Sequence, residues 1–342
     1  MQPARGIWSF PYWTTNKIRI FAAMNKNPLP IHFAPLQGYT DAIYRRAHAR
    51  IFGGIETYYS PFVRIERGEI RRRDARDVNP ENNQGLHLIP QLIAPEAEKA
   101  GQVISLFTEN GYQEIDINLG CPFPMLAKRH NGSGMLPYPE EVKALLNTIV
   151  EKYSELRFSI KLRLGWEKAE ECLTLLPLLN ELPLSHIILH PRLGKQQYKG
   201  EVDLNGFEAF YKGCEKPLLY NGDLHTTEDI ETITERFPKL AGVVIGRGLL
   251  ANPALAYEYQ QGKMLSSDEM AKKVGQLHAE VFSSYQEQLQ GGDLQLLMKM
   301  KSFWEYLLPE GDHKAKKVIH KTTKLDNYEA AVSNLLGSYH KP

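Results

Sequence analysis

Eight short apolar segments recur along the first three quarters of the chain, and turn residues bound each of them. Longer stretches with mostly helical patterning separate these segments, so strand and helix patterns alternate. This alternation is typical of βα units that form a parallel sheet. Eight such units predict closure into a (β/α)₈ TIM barrel. The predicted strands are residues 31–38, 56–63, 86–93, 114–120, 158–165, 185–192, 217–223 and 241–247.

The links between these segments differ in pattern. The clearest helix signals are at 95–110 and 138–153, which begin with proline and glutamate residues that favour a first helical turn. The link at 64–85 is polar throughout and predicts a long loop. After residue 262 no strand pattern recurs, and four helices are predicted, at 268–290, 294–308, 314–321 and 326–337.

These patterns predict three parts of the chain. Residues 25–261 form the barrel, and residues 262–342 form a small all-α domain behind it. Residues 1–24 are predicted to be an N-terminal extension outside the fold, with no continuous apolar segment of the kind that a secretory signal requires.

Composition narrows the function classes. The 342 residues carry 41 Lys and Arg against 40 Asp and Glu, so a net charge of +1 predicts no global attraction to nucleic acid or membrane. No apolar run approaches the ~20 residues that span a bilayer. Three widely spaced cysteines argue against a disulfide framework or a cysteine zinc site and fit a reducing cytoplasm.

The predicted strands become polar at their carboxyl ends, which is where a barrel of this type carries its active site. Side chains two residues apart on a strand share a face, so Lys161 and Arg163 point the same way. Together the strand ends predict one site. Its candidate members are Gln91, Asn118, Cys121, Lys161, Arg163, His190, Arg192, Asn221, Asp223 and Arg247.

Glycines follow the last two strands, in Asn221-Gly222-Asp223 and Gly246-Arg247-Gly248. Barrels frequently bind phosphate at these two loops through backbone amides, and an arginine can add charge-assisted hydrogen bonds. The alternative is that the glycines only permit tight turns between strand and helix. Their occurrence on both successive strands favours a phosphate site.

Several short motifs occur in a fixed order along the barrel. They are APLQGYTD (34–41), QL (91–92), DINLGCP (116–122), GSG within NGSGML (131–136), KLRLGW (161–166), LHPR with YKG (189–200), NGD (221–223) and GRG (246–248). These motifs, in this order, resemble the bacterial tRNA-dihydrouridine synthases. The resemblance covers about residues 31–340, and the C-terminal helices, with LMKMKSFWEYLLP, resemble that family's RNA-binding domain.

The resemblance implies an FMN-dependent oxidoreductase that reduces the C5–C6 double bond of a tRNA uridine, with NADPH as a transient reductant. Cys121 would be the catalytic proton donor to carbon 5, and an ordinary thiol, with a pKa of ~8.5, is protonated at neutral pH. The residues implied for FMN are Pro35, Leu36, Gln91, Lys161, His190, Asn221, Gly222, Asp223, Gly246 and Arg247. Those for the uracil and its surroundings are Asn118, Arg163 and Arg192.

The predicted partner is tRNA, and we expect a cytoplasmic monomer without a membrane or metal partner. Three basic clusters are candidates for the RNA backbone. They are Arg64–Arg76, Lys128-Arg129-His130, and Lys314 through Lys321 with Lys324. Trp304 and Tyr306 lie near the last cluster in the sequence and favour it as an RNA contact.

Two other functions fit parts of the chain. A small-molecule pyrimidine oxidoreductase that uses FMN, similar to dihydroorotate dehydrogenase, would explain the barrel but not the C-terminal helices. An RNA-binding protein with a vestigial barrel would explain the helices. It would not explain Cys121, Lys161 and both glycine motifs together.

Overall fold

The computed structural model describes residues 28–309 and 313–338. The extension predicted at 1–24 lies outside the described residues. The strands are β1 (Ile31–Phe33), β2 (Thr57–Tyr59), β3 (Ile65–Glu66), β4 (Glu69–Ile70), β5 (Leu88–Ile89), β6 (Gln91–Leu92), β7 (Glu114–Leu119), β8 (Arg157–Gly165), β9 (Leu184–Leu193), β10 (Leu218–Asn221) and β11 (Gly242–Ile245).

Nine of these strands form one parallel sheet in the order β5-β2-β1-β11-β10-β9-β8-β7-β6. Its two edge strands, β5 and β6, are halves of one chain segment that is interrupted at Pro90, which has no amide hydrogen for the ladder. The amide of Tyr58 donates to the carbonyl of His87 (2.9 Å), and the amide of Asp116 donates to the carbonyl of Pro90 (3.0 Å). The same segment therefore joins both ends of the sheet, and the prediction of an eight-unit TIM barrel is confirmed.

Helices follow the strands around the outside of the barrel. They are α1 (Ala42–Ile51), α2 (Arg72–Asp77), α3 (Ala97–Glu109), α4 (Pro124–Ala127), α5 (Pro139–Lys152), α6 (Glu170–Glu181), α7 (Leu204–Gly213), α8 (Thr227–Arg236), α9 (Arg247–Ala251) and α10 (Leu255–Gln261). Short 3₁₀ helices lie at Pro80–Asn83 and Gly132–Met135. Four further helices follow Gly262, namely α11 (Ser267–Gln288), α12 (Gly292–Phe303), α13 (His313–Lys321) and α14 (Leu325–Ser338).

The apolar core has two layers. The larger layer lies between the sheet and the surrounding helices and continues into the C-terminal helices. The smaller one fills the inside of the barrel, where successive strands contribute buried side chains. Its members are Ala34, Tyr59, Ile89, Ile188, Leu219 and Val244.

The prediction of a long loop at 64–85 is wrong. This link contains the hairpin of β3 and β4, helix α2 and a 3₁₀ helix. Arg45 explains why: its buried guanidinium donates to Asp77 Oδ2 (3.1 Å), the Asp77 carbonyl (2.8 Å) and Asn83 Oδ1 (2.8 Å). A buried cation needs such partners, and they tie this polar segment to α1 without an apolar pattern in the sequence.

The C-terminal helices contact the barrel through α1. The hydroxyl of Tyr285 on α11 donates to Asp41 at the start of α1 (2.7 Å), and the ammonium of Lys299 on α12 forms an ion pair with the same carboxylate (3.1 Å). Trp304 is completely buried, and its indole N–H donates to the hydroxyl of Tyr328 (2.9 Å). The expectation that Trp304 supports an RNA contact is therefore wrong, because this ring holds the helices together.

His48 on α1 links barrel stability to pH. Its Nε2 donates to the carbonyl of Pro253 (2.9 Å), so Nδ1 accepts a hydrogen bond from the hydroxyl of Tyr58 (2.9 Å). The bond from Tyr58 requires the neutral ring, because a protonated ring has no acceptor nitrogen. Burial lowers the pKa of His48 to about 4, although the bond to Pro253 acts in the opposite direction.

We expect His48 to destabilise the fold in acid. Its unfolded pKa of 6.5 exceeds the folded value of about 4, so its full contribution is present above pH 6.5 and is lost as the pH falls. Between pH 7 and pH 5 this residue should remove about 2 kcal/mol from the free energy of unfolding. His48→Gln can keep both hydrogen bonds without titrating. Urea denaturation of this variant should therefore show a pH dependence that is weaker by that amount, and identical pH dependence in the two proteins would contradict the assignment.

Candidate active site

A cavity of about 870 Å³, including its open mouth, lies at the carboxyl ends of the strands. The predicted site residues line it, with the exception of Arg192. The barrel therefore brings together side chains that are up to about 210 positions apart in the sequence, from Pro35 to Arg247. A concave site with several convergent polar groups is typical of cofactor and substrate sites.

The loop after β7 holds Cys121 at this cavity. Asn118 at the end of β7 accepts hydrogen bonds at Oδ1 from the amides of Gly120 (3.0 Å) and Cys121 (2.8 Å). On the other side of the loop, the carbonyl of Cys121 accepts hydrogen bonds from the amide (3.1 Å) and the hydroxyl (2.9 Å) of Ser133. The backbone on both sides of the thiol is thus fixed.

Gly132 makes this second contact possible. Its φ of +59° is in the left-handed region, and a Cβ there would lie 2.7 Å from the carbonyl oxygen of Cys121. No larger residue fits between the two segments. Packing against Cys121 therefore explains why the first residue of GSG in the NGSGML motif is glycine.

A buried chain of hydrogen bonds supports the loop from below. Asp116 accepts from Ser159 Oγ (2.7 Å) and from Gln91 Nε2 (2.6 Å). The carbonyl oxygen of the Gln91 side chain then accepts from Asn118 Nδ2 (2.7 Å), which fixes the amide of Asn118 in the orientation that faces the Cys121 loop. Burial raises the pKa of Asp116 to about 6, although the hydrogen bonds from Gln91 and Ser159 and the charge of Lys161 oppose the shift.

The predicted ligand contacts of Asn118 and Gln91 stay predictions, and these bonds give both side chains a further role within the protein. Asn118 lines the cavity, but both ends of its amide are bonded to protein groups, so it positions Cys121. Gln91 is completely buried and bonded in the same way. The sequence showed both as polar strand ends and carried no signal that they bond to each other.

The thiol of Cys121 is in its protonated form at neutral pH. Burial raises its pKa, and this effect outweighs the hydrogen bond from the amide of Phe123 and the charges of Arg163, Arg64 and Lys161. A thiol in this state can donate a proton.

Lys161 brings an uncompensated cation to the cavity. It lines the cavity, and its ammonium makes no hydrogen bond or ion pair with another described residue. Burial and the charge of Arg163 lower its pKa to about 8, while Asp116 and Cys121 act in the opposite direction. At pH 7 the side chain is therefore still mostly charged. Such a group suits a bound anion or an electron-rich ring.

Arg163 lines the same cavity but is held by backbone carbonyl groups. Its guanidinium donates to Gly120 (3.1 Å), Leu193 (2.9 Å) and Gln197 (2.6 Å). It thereby connects the Cys121 loop with the loop after β9. Its predicted contact with the uracil stays a prediction.

Arg192 has a different environment from the one expected. It lies behind the cavity wall, where it donates to Asp223, to the carbonyl of Gly200 and to Nε2 of His190 (3.1 Å). The predicted contact of Arg192 with the substrate stays a prediction, and in this structure its guanidinium is bonded to protein groups. Because Arg192 must donate to Nε2, His190 carries its proton on Nδ1. Burial, together with the nearby cations, lowers the pKa of His190 well below its ordinary value.

Asp223 organises the arginines on this side of the cavity. It forms an ion pair with Arg192 and another with Arg247 (2.8 Å). Burial alone would raise its pKa, but the hydrogen bond and charge of Arg192, with the charge of Arg247, lower it. A carboxylate that is engaged in this way orients Arg247, so Asp223 itself is poorly suited to contact an anionic cofactor.

The glycines after β10 and β11 permit close packing of neighbouring side chains at the cavity. Gly222 has a φ of +149°, and a Cβ there would lie 3.0 Å from Val202 and 3.2 Å from His190. A Cβ on Gly246 would lie 3.3 Å from the side chain of Leu36. Asn221 is the last residue of β10. Its side chain donates to the carbonyl of Val244 on β11 (2.6 Å) and so joins the ends of the two strands.

Sequence reasoning missed Tyr198, which lines the cavity from the loop after β9. Its ring lies between the guanidinium carbons of Arg163 (5.4 Å) and Arg247 (4.8 Å), and the ring remains about half exposed. Two cations on one ring hold it in place at the cavity mouth. Tyr198 belongs to the YKG motif. Because it lies in a loop, no hydrophobic periodicity identifies it as a cavity residue.

Comparison with known proteins identifies the family. The model of the family described as "Dihydrouridine synthase (Dus)" matches residues 32–334, which is most of the chain. The chain belongs to the dihydrouridine synthase family. It is therefore an oxidoreductase, because formation of dihydrouridine saturates the C5–C6 double bond of uridine. The family resemblance predicted from the motifs is confirmed, and the match extends through the C-terminal helices.

Individual relatives have similar lengths. The chain is 26% identical over 231 residues to tRNA-dihydrouridine synthase B of Pasteurella multocida, covering 66% of this chain and 67% of the relative. It is 25% identical over 288 residues to the probable tRNA-dihydrouridine synthase of Rhodobacter capsulatus, covering 81% and 86%. Among solved structures, a mutant of morphinone reductase in complex with tetrahydroNAD superposes with a TM-score of 0.50 at 15% identity, covering 69% and 87%. This last likeness concerns the fold.

The protonation state of Cys121 can be tested by alkylation. Because burial raises the pKa of its thiol, the reaction with iodoacetamide should be slower at pH 7 than that of glutathione and should still increase above pH 9. Mass spectrometry of the peptide that contains Cys121 would give the rate at each pH. A rate that reaches its plateau below pH 7 would indicate a thiolate and would rule out the proton-donor state.

Proposed function

We propose that this protein reduces uridine in tRNA, with FMN bound in the barrel cavity and Cys121 as the proton donor. The observation that carries the proposal is the placement of a protonated thiol and an unpaired lysine cation in the same cavity of a dihydrouridine synthase family member. The relatives named as tRNA-dihydrouridine synthases support tRNA as the substrate.

The residues present fit a flavin mononucleotide. Lys161 has a charge without a protein partner among the described residues, and Pro35, Leu36 and His190 line the cavity around it. These residues would hold the ring system. Asn221, Gly222, Gly246 and Arg247, which line the cavity after β10 and β11, would hold the ribityl chain and phosphate. When bound, a reduced flavin supplies the hydride that carbon 6 of the uracil receives.

The protein groups have separate tasks in this reaction. The ammonium of Lys161 stabilises negative charge in the ring system beside it. Cys121 donates its proton to carbon 5, and the hydrogen bonds from Gly120 and Cys121 to Asn118 hold the thiol where that transfer takes place. NADPH is the proposed reductant.

The tRNA needs phosphate contacts, since extrusion of a stacked base costs a few kcal/mol. Arg67, Arg72 and Arg76 are exposed on the β3–β4 hairpin and α2, and none of them makes an ion pair with a described residue. The helices after Gly262 add a second basic surface on α13. We infer that these surfaces bind the RNA backbone.

We further propose that the protein is a monomer and acts in the cytoplasm.

Two structural findings bear on other partners. In the described part of the chain, no helix combines the length and apolar character that a bilayer crossing requires. Over the same residues, the structure contains no group of three or more His, Cys, Asp or Glu side chains arranged for a metal ion.

The rival function, reduction of free pyrimidines, leaves the helices after Gly262 without a role, although the family match includes them.

Replacement of Cys121 separates the two half-reactions. Cys121→Ala should retain the yellow flavin and its oxidation of NADPH, because neither needs the thiol. It should lose about 100-fold or more in dihydrouridine formation, which is the usual contribution of a positioned general acid. Product is measured as dihydrouridine in unmodified tRNA after incubation with NADPH. Cys214→Ala is the matched control, because Cys214 precedes β10 at the opposite end of the barrel.

The outcomes of this experiment are distinct. Normal product formation by Cys121→Ala would contradict the role of the thiol. Reduction of free uracil by the unaltered protein at a useful rate, without activity on tRNA, would favour the small-molecule enzyme. A colourless protein that binds tRNA tightly would favour the RNA-binding protein without catalysis.

The phosphate contacts predict a strong effect of salt. The KM for tRNA should rise about tenfold or more between 50 and 200 mM NaCl, because each arginine contact with a phosphate displaces a bound counterion. Oxidation of NADPH by the enzyme without tRNA is the reference reaction, and it should change much less. An unchanged KM for tRNA over this range would exclude docking through the basic surfaces.

A further inference from the structure

The barrel exposes large apolar side chains at one place. Within its described residues, 28–261, the exposed large hydrophobic residues are Phe123, Met125, Tyr138 and Tyr198. Tyr198 lines the cavity, and the other three follow Cys121 closely in the chain. Phe123 is 52% exposed and Met125 is 69% exposed. Exposed apolar groups that gather beside a reaction cavity indicate a contact surface.

The segment that carries Phe123 and Met125 is well ordered by its neighbours. The carbonyl of Phe123 accepts hydrogen bonds from the amides of Leu126 (2.9 Å) and Ala127 (3.0 Å), and α4 begins at the next residue. Leu126 and Ala127 on the other side of α4 are buried. Because these two residues anchor the short helix, Phe123 and Met125 are held outward beside the catalytic thiol.

Exposed cations lie at the end of the same segment. Lys128 and Arg129 are exposed and make no ion pair with a described residue. His130 next to them stacks on Tyr138 at a centroid distance of 3.9 Å and bonds through Nδ1 to Glu141 (2.8 Å). No acidic residue occurs between Asp116 and Glu140. Residues 123–130 therefore form a rim that combines apolar side chains with uncompensated positive charge, and we call it the thiol rim.

We propose that the thiol rim binds the nucleotides that flank the target uridine in the RNA. When one base leaves the stack, its neighbours lose a stacking partner, and apolar side chains can cover the faces that become exposed. Phe123 and Met125 make that contact, and Lys128 and Arg129 bind the adjoining phosphates. Single-stranded RNA is bound by this combination of apolar faces and cations. The inference rests on the proposed function, because it assigns a surface for the same substrate.

Two double variants separate the apolar part from the ionic part. Phe123→Ser with Met125→Ser should weaken the Kd for an unmodified tRNA transcript roughly tenfold, which corresponds to one lost stacking contact. The slope of log Kd against log salt should stay as it is. Lys128→Ser with Arg129→Ser should also weaken binding and should reduce the magnitude of that slope by roughly 1.5, since two phosphate contacts are lost.

The control is Lys239→Ser, an exposed lysine before β11 at the opposite end of the barrel, and it should change neither the Kd nor the slope. All variants should retain flavin and NADPH oxidation, which verifies that they fold. If wild-type enzyme forms dihydrouridine in the transcript while both double variants bind it normally, the thiol rim is excluded as an RNA contact. If the wild-type enzyme forms no dihydrouridine, the proposed function fails instead.

Discussion

The segment from Leu88 to Leu92 closes the barrel, because its backbone hydrogen-bonds to the strands on both sides. Pro90 divides it into two short strands, so that one half belongs to each edge of the sheet. Gln91 lies in the second half and is completely buried. From there its amide bonds to Asp116 and Asn118, and Asn118 holds the amides of Gly120 and Cys121. Closure of the fold and placement of the thiol thus depend on the same short segment.

Burial of the ionisable side chains near this segment also determines their protonation states. A low-dielectric environment disfavours charged groups. It therefore keeps Cys121 protonated, keeps His190 neutral and lowers the pKa of Lys161 only to about 8. The result is a cavity with one proton donor, one neutral ring and one mostly protonated lysine. This combination supports the proposed reduction, in which a hydride and a proton would reach neighbouring carbon atoms.

The three arginines of the site have different environments, and their positions in the sequence do not indicate this difference. Arg163 and Arg192 lie near the carboxyl ends of β8 and β9, and Arg247 follows β11, yet each has different partners. Arg163 binds carbonyl groups, Arg192 binds Asp223 and His190 behind the wall, and Arg247 faces the cavity between Asp223 and Tyr198. A guanidinium has five donors, so neighbouring acceptors decide whether it remains available to a ligand.

The sequence by itself determined the βα alternation, the eight strands and most of the residues that line the cavity. It did so because hydrophobic periodicity and strand ends are local properties, and because a closed parallel barrel places every carboxyl end at one mouth. Only the tertiary structure decided that residues 64–85 fold around Arg45, that Trp304 is buried, that Asn118 and Gln91 position the thiol, and that Arg192 lies behind the wall. These outcomes depend on hydrogen bonds between residues far apart in the chain, and such bonds leave no periodic trace in the sequence.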